Sequence, residues 1–334
     1  MTFANSTVVV TGASAGNGRA TARAFAKRGA RVALIARGEA GLKAAQEECL
    51  ALGARQAIAV PCDMADAEAV DAAAERIRDE LGPIDVWVNN AMVSVFARTW
   101  DIKASEFRRV VEVNLLGTVY GTLAALRQMR PRNSGVIVQI GSTLAYRGIP
   151  LQAPYCSTKH GIQGFVDSLR PELLRDCPGV KVTMVQLPAI NTPQFSWVRT
   201  RLPRHPQPVP PIFQPEVTAE AVVWASEHTP RELNVTGRTG LIRMLNAVAP
   251  NALEWYLART NIDAQQTDEP IDPAHWRDNL ESPADADHDH GAHGIFDSQA
   301  HRFSPEVWAR THLPLLAGVA GVAALAVVAA TSRK

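Results

Sequence analysis

Short runs of β-branched and apolar residues alternate with longer stretches of helical periodicity over residues 6–237. A buried strand needs roughly four to eight such residues, whereas an amphipathic helix repeats its apolar positions every three or four residues. The pattern predicts seven strands, at Thr7–Val10, Arg31–Ala36, Gln56–Val60, Asp85–Val88, Val136–Ile140, Lys181–Val185 and Leu233–Val235. Between them it predicts helices at Gly18–Arg28, Leu42–Leu52, Ala67–Leu81, Ser105–Met129, Pro154–Arg175 and Glu216–His228.

Strands separated by helices of this length are typical of right-handed crossovers in a parallel sheet. We therefore predict an α/β fold, a Rossmann-type doubly wound parallel sheet of about seven strands with helices on both faces. Residues 1–240 form its nucleotide-binding and catalytic domain. Such a sheet binds its ligand at the carboxyl ends of the strands, where the strand order reverses.

The alternation stops after Gly237, and residues 241–312 are predicted to be a helical and then loop-rich extension. Leu241–Arg259 has the pattern of one or two helices, whereas residues 261–304 are polar and loop-like. A proline-rich connection at 191–215 precedes the last helix of the alternating region. A long, stiff connection beside a ligand cleft is a candidate lid or substrate loop, and the alternative is a surface loop.

The two ends of the chain differ in character. Residues 313–330 carry no charge and would form an apolar C-terminal helix about 27 Å long. We interpret it as a membrane anchor, with a buried or dimer-packing helix as the alternative. No apolar signal segment precedes the first strand, so the catalytic domain is expected in the cytoplasm, attached to the membrane through 313–330.

Composition narrows the class of protein. The 334 residues are 46% hydrophobic and 20% charged, which is typical of a folded, core-burying chain. The net charge of +1 argues against a nucleic-acid partner, because phosphate recognition needs a basic excess. The four cysteines are scattered and form no close pair, which indicates reduced thiols.

A glycine-rich turn follows the first predicted strand. Gly12, Gly16 and Gly18 lie between that strand and a helix, where glycines let the backbone approach a pyrophosphate at a helix N-terminus. The end of the second strand carries Arg37 and lacks an acidic residue, which favours the 2′-phosphate of NADP(H) over NAD(H). Asp63, after the third strand, is a candidate acceptor for the adenine amino group.

A second set of residues has the spacing of a proton-transfer site. Tyr155 and Lys159 are four residues apart at the start of a long helix, so they share one helical face. A nearby ammonium and a positively charged nicotinamide favour the phenolate and are expected to lower the tyrosine pKa. Ser142, at the end of the fifth strand, can donate a hydrogen bond to a substrate carbonyl.

Together these motifs resemble the short-chain dehydrogenase/reductase family, in its single-domain form, over about residues 5–237. Thr11–Gly18 matches the family pattern TGxxxGxG, Asn89–Ala91 matches its NNAG motif, and Asn114 matches its helix asparagine. The resemblance implies a catalytic tetrad of Asn114, Ser142, Tyr155 and Lys159. It implies cofactor contacts from Gly12, Ser14, Gly16, Asn17, Gly18, Arg37, Asp63, Asn90, Ala91, Tyr155, Lys159, Pro188 and Thr192.

The resemblance also implies a reaction. Tyr155 would protonate a carbonyl oxygen while hydride arrives from the nicotinamide, and Ser142 would orient that carbonyl. Lys159 would hold the nicotinamide ribose, with Asn114 supporting a water link to it. Three positions depart from the family pattern: Asn17 in the glycine loop, Met92 in place of the last glycine of NNAG, and Ala189 after Pro188.

The sequence thus predicts an NADP(H)-dependent oxidoreductase acting on a ketone, aldehyde or secondary alcohol, with a lipophilic substrate suggested by the apolar tail. We expect a homodimer or homotetramer. The alternatives are another reaction on the same scaffold, such as epimerisation, and a membrane-attached NADP(H)-binding regulatory protein without turnover. A run of Asp and His at 285–293 has metal-type ligands but no element to fix their geometry, so no metal is predicted.

Overall fold

The computed structural model describes residues 3–312, and its centre is a parallel sheet of seven strands. The strands other than the short last one are rich in Val, Ile or Ala, which suits burial on both faces. In chain order the strands are β1 (Thr7–Thr11), β2 (Arg31–Ala36), β3 (Gln56–Pro61), β4 (Ile84–Asn89), β5 (Gly135–Ser142), β6 (Val180–Leu187) and β7 (Glu232–Asn234). All seven predicted strands are present.

The strand order across the sheet is β7-β6-β5-β4-β1-β2-β3. Every neighbouring pair is parallel. The direction of winding reverses between β1 and β4, which opens a crevice at their carboxyl ends. This confirms the predicted Rossmann-type, doubly wound sheet.

The helices connect the strands and continue beyond the sheet. They are α1 (Gly16–Ala26), α2 (Glu39–Ala51), α3 (Ala67–Leu81), α4 (Ala104–Val110), α5 (Gly117–Arg132), α6 (Ala153–Asp176), α7 (Gln194–Trp197), α8 (Pro215–His228), α9 (Arg238–Val248), α10 (Pro250–Thr260) and α11 (Pro305–Thr311).

Two hydrophobic cores lie on opposite faces of the sheet. Alternate residues of a strand point to opposite faces, so Val8 and Val10 join one core and Val9 the other. The first core is completed by α1, α2 and α8, and the second by α3, α5 and α6. The four cysteines are buried and free, in keeping with their predicted reduced state.

The prediction of one continuous helix over Ser105–Met129 was wrong in detail. A π-helical segment, Val111–Leu116, separates α4 from α5. Leu241–Arg259 forms two helices, α9 and α10, because Pro250 cannot continue a helix but suits the first turn of a new one.

The polar segment after α10 is largely irregular and packs back on the sheet. The short strand Gln266–Pro270 pairs with Arg204–Pro206, and Ala300–His301 pairs with Ile212–Phe213. Leu280 is fully buried in a small apolar cluster with Val93. Through these contacts the extension lies along the carboxyl edge of the sheet.

Within residues 3–312, no helix is both long enough and apolar enough to cross a membrane. The predicted apolar helix at 313–330 lies outside the described residues. The anchor therefore stays a prediction from the sequence.

Candidate active site

One cavity of about 1000 Å³ lies at the carboxyl ends of the central strands. Two of the residues named from the sequence, Gly18 and Asn114, stand behind its wall. The others line it: Gly12, Ser14, Gly16, Asn17, Arg37, Asp63, Asn90, Ala91, Ser142, Tyr155, Lys159, Pro188 and Thr192. The structure thus brings together the residues of the predicted cofactor and catalytic sites, while their individual roles stay predictions.

The glycine turn at the start of α1 is tightly packed. Gly12 adopts a φ of +65°, which disfavours any residue with a Cβ. A Cβ at Gly18 would overlap the carbonyl oxygen of Gly12 and the side chain of Asn90. These glycines allow the first turn of α1 to approach β1 closely, with Gly16 and Asn17 lining the cavity.

Asn17 replaces an apolar residue of the family pattern, and its side chain is buried. Its amide nitrogen donates to Asn90 Oδ1 at 2.8 Å, and its oxygen accepts from Thr218 Oγ1 at 2.5 Å. Asn90 in turn donates to the carbonyl oxygen of Thr11 at 2.9 Å. Asn17 therefore ties the glycine turn to the end of β4 and to α8.

Arg37, at the end of β2, is held by the C-terminal extension. Its guanidinium donates to the carbonyl oxygens of Asn279, Leu280 and Glu281 at 2.5, 3.2 and 2.9 Å. Burial lowers the pKa of Arg37, and the nearby carboxylate of Asp63 opposes that shift. Arg37 is one of the residues that line the cavity, so the predicted cation lies at the end of β2.

The carboxylate of Asp63 already has protein donors. It accepts a hydrogen bond from the backbone N–H of Ala65 at 3.0 Å and pairs with the guanidinium of Arg109. Burial alone would raise the pKa of Asp63, but these hydrogen bonds outweigh burial and lower it. An adenine amino group, as predicted from the sequence, would share an oxygen with one of these partners.

Tyr155 and Lys159 share a face of α6, as their spacing predicts. The Lys159 ammonium lies 5.5 Å from the centroid of the Tyr155 ring. Burial raises the pKa of Tyr155, and the neighbouring Ser142 hydroxyl acts in the opposite direction. The lowered tyrosine pKa expected from the sequence is therefore absent from the protein alone, because burial is the largest influence on the phenol and raises its pKa.

Lys159 is almost fully buried beneath the cavity floor. Its Nζ donates to the carbonyl oxygen of Ile140 at 2.6 Å. Burial lowers the pKa of Lys159 to about 8, which leaves the ammonium as the main form at neutral pH. The side chain is thus a fixed positive charge next to Tyr155.

Asn114 lies in the π-helical segment between α4 and α5. Its side chain pairs with the backbone of Val93, accepting from N–H at 2.8 Å and donating to C=O at 2.9 Å. Insertions of this kind often occur at functional sites, because they turn backbone groups out of the helical pattern. In this structure Asn114 fixes the segment that follows β4 and does not reach the cavity.

The other end of the cavity has an apolar lining. It includes side chains from the proline-rich connection and from both helices that follow β7. These residues are Leu144, Ile149, Leu187, Ile190, Phe195, Pro208, Val209, Pro210, Leu241, Leu245, Leu253, Tyr256 and Leu257. The proline-rich connection therefore forms part of the cavity wall, as expected of a substrate loop.

The extension contributes to this site, and no motif in the sequence indicated that contribution. Asp289 pairs with Arg19 of α1 at 2.8 Å, and His293 lies between Glu216 and Asp297, each at 2.9 Å. Asp289 and His293, two of the residues that resembled metal ligands, thus hold the extension in place. Across the described part of the chain, no three such side chains are grouped to hold a metal ion.

Comparison with known proteins identifies the family. A family profile described as short chain dehydrogenase matches residues 6–202. The chain belongs to the short-chain dehydrogenase/reductase family. Together with oxidoreductase relatives, this membership makes it an NAD(P)-dependent oxidoreductase.

The sequence matches to individual relatives cover much of the chain. "Uncharacterized oxidoreductase YxnA" of Bacillus subtilis is 34% identical over 268 residues, 80% of this chain and 75% of that protein. Human "Short-chain dehydrogenase/reductase 3" is 36% identical over 64% of this chain and 71% of its own length. The match to YxnA is longer than the profile match and reaches into the extension.

A solved structure supports the same assignment. A metagenomic short-chain oxidoreductase in complex with NADP superposes with a TM-score of 0.59 and 27% identity. The match covers 70% of this chain and 98% of that protein. That family relative binds its nicotinamide cofactor on the same Rossmann-type fold.

Proposed function

We propose that this oxidoreductase transfers hydride between a nicotinamide cofactor and a ketone or aldehyde, or a secondary alcohol in the reverse direction. The observation that carries the proposal is the position of Ser142, Tyr155 and Lys159 in the same cavity as the glycine turn. That arrangement fits a dinucleotide that runs from α1 towards α6. The bound nicotinamide would supply or accept the hydride.

Four protein residues have the remaining roles in the reaction. Tyr155 donates a proton to the carbonyl oxygen, and Ser142 orients that oxygen by a hydrogen bond. Lys159 supplies a positive charge that stabilises the phenolate left after proton transfer. Asn114 acts from behind the cavity by fixing the backbone of Val93. Burial raises the pKa of Tyr155, so the phenol is protonated at neutral pH and its proton is available for transfer to a carbonyl oxygen.

We propose NADP(H) as the preferred cofactor, on the strength of Arg37 at the end of β2. A guanidinium beside the adenosine ribose suits a 2′-phosphate. Arg37→Gln is expected to weaken NADPH binding at least tenfold while changing NADH binding by less than threefold. Titration of both reduced cofactors measures this, and equal weakening of the two would remove Arg37 from the preference.

The substrate is proposed to be lipophilic, because the lining of the cavity is mainly apolar. A series of methyl ketones of increasing chain length, tested with both reduced cofactors, measures the preference. We expect kcat/KM to rise with chain length, because each buried methylene adds favourable burial of about 0.8 kcal/mol. A flat or falling series would contradict a lipophilic substrate.

Three further expectations from the sequence stay predictions. They are the separate extension at 241–312, membrane attachment through 313–330, and a homodimer or homotetramer. The regulatory alternative without turnover has no observation in its favour. Light scattering of the full-length protein would measure the oligomeric state.

A further inference from the structure

The segment 279–291, which we call the strap, crosses the end of β2. Its carbonyl oxygens accept hydrogen bonds from Arg37 and also from α2, through Ala40 N–H to Ala286 and Gly41 N–H to Asp285, both at 3.2 Å. Its last residue, Gly291, accepts from Gly16 N–H at 3.0 Å. The strap therefore touches the glycine turn, β2 and α2, the three elements around the adenosine end of the proposed cofactor site.

Asp285 is the acid that the strap brings to this place. It is 7% exposed, and its side chain forms part of the cavity lining. Two glycines make room for it: a Cβ at Gly38 would overlap the carboxylate, and a Cβ at Gly41 would lie 2.6 Å from Oδ2 and 3.0 Å from Ser14 Cβ. The carboxylate thus fills a niche between β2, α2 and the glycine turn.

The carboxylate has no structural task that accounts for its burial. No hydrogen bond or ion pair reaches its oxygens from any residue within 3–312, although the backbone carbonyl of Asp285 does cap α2. Asp285 lines the cavity, and its oxygens are not among the fully buried polar atoms that lack a partner, so the carboxylate is accessible from the cavity. The charge of Arg37 acts on it without a hydrogen bond between the two side chains. Asp285 therefore has acceptor capacity directed at whatever occupies this end of the cavity.

We propose that Asp285 is a cofactor-selectivity residue, supplied by the C-terminal extension, that opposes binding of the 2′-phosphate of NADP(H). The proposal rests on the cofactor site of the proposed function. The end of β2 is where this fold distinguishes a ribose 2′-hydroxyl from a 2′-phosphate. A carboxylate there accepts a hydrogen bond from the hydroxyl but repels the phosphate. Arg37 and Asp285 thus act in opposite directions, and Asp285 limits the preference for NADP(H).

The test compares two charge-neutralising variants of the full-length protein. Asp285→Asn removes the buried charge with little change of shape, and Asp287→Asn removes an exposed charge two residues away in the same strap. Dissociation constants for NADPH and NADH are measured by fluorescence titration at physiological ionic strength. We expect Asp285→Asn to bind NADPH at least tenfold more tightly and NADH no more tightly than the wild type. Asp287→Asn should change neither constant more than twofold, since exposed charges are screened.

If the ratio of the NADPH and NADH dissociation constants is the same for Asp285→Asn as for the wild type, with both cofactors still bound, this inference alone is overturned. The same shift in Asp287→Asn would also overturn it, because the effect would then be one of net charge. Asp285→Ala provides a second variant, and it must shift the ratio in the same direction. If the wild type bound neither cofactor, the proposed function would fail as well.

Discussion

Replacing Lys159 by Met should make the cofactor-free protein more stable at neutral pH while abolishing its activity. The side chain is 4% exposed, and burial lowers its pKa from 10.5 to about 8. A shift of this size means that the folded state carries a penalty of about 3 kcal/mol for holding the ammonium at pH 7. Methionine has a similar length and no charge. It forfeits the hydrogen bond to Ile140, a loss of about 1 kcal/mol.

The net gain expected at pH 7 is therefore about 1–2 kcal/mol, or a few degrees in Tm for a chain of this size. The sign follows from proton binding. Between pH 8 and 10.5 the folded protein releases the lysine proton before the unfolded chain does, so wild-type stability from this group rises with pH. The advantage of the variant should shrink by about 2 kcal/mol between pH 7 and 9.5.

Thermal and urea unfolding at the two pH values measure this difference. Lys43→Met, at an exposed position on α2, is the matched control and should show no pH-dependent change. A Lys159→Met protein that is less stable than the wild type at pH 7, or an advantage equal at both pH values, would refute the reasoning. In the same preparations, loss of a positioned charge should reduce turnover by about 10²–10⁴.

Three other changes have definite expectations. Gly18→Ala should prevent measurable NADPH binding and lower Tm, because its Cβ would overlap Gly12. Gly164→Ala is the control, since nothing lies within 4 Å of its Cβ, and it should fold and bind NADPH normally. Cofactor titration and thermal melting compare the two variants. Leu280→Ala should destabilise the strap by about 2–4 kcal/mol and accelerate NADPH release in stopped-flow experiments, and an unchanged release rate would argue against a strap that holds the cofactor. Deleting residues after His312 should move the protein from the membrane to the soluble fraction with activity retained, and release of the full-length chain by carbonate would exclude an integral anchor.

The sheet and the placement of the candidate site residues were predictable because their signals are local. Each central strand is a short apolar run, and the helices between the strands predict parallel crossovers in one doubly wound sheet. Tyr155 and Lys159 share a helical face by spacing alone. The π-helical segment at Asn114 could not be foreseen, since the pattern around it is continuous with a helix and the change depends on contacts with Val93.

The position of the strap could not be predicted from the sequence, for a different reason. Its contact with β2 joins Arg37 to residues more than 240 positions away, through backbone carbonyls that carry no residue-specific pattern. Asp285 was noticed only as a possible metal ligand, because its burial against Gly38 is a tertiary property. The raised pKa of Tyr155 has the same origin: burial sets it, and burial is known only after folding.

The central claim is that Tyr155 transfers a proton to a carbonyl oxygen in the cavity shared with the cofactor. Its most direct test is single-turnover reduction of a ketone by Tyr155→Phe and wild type, with NADPH binding measured on the same samples. The account predicts that the variant binds NADPH within twofold of the wild type and reduces the ketone about 10²–10⁴ times more slowly. Reduction at the wild-type rate by a variant that binds NADPH normally would contradict it.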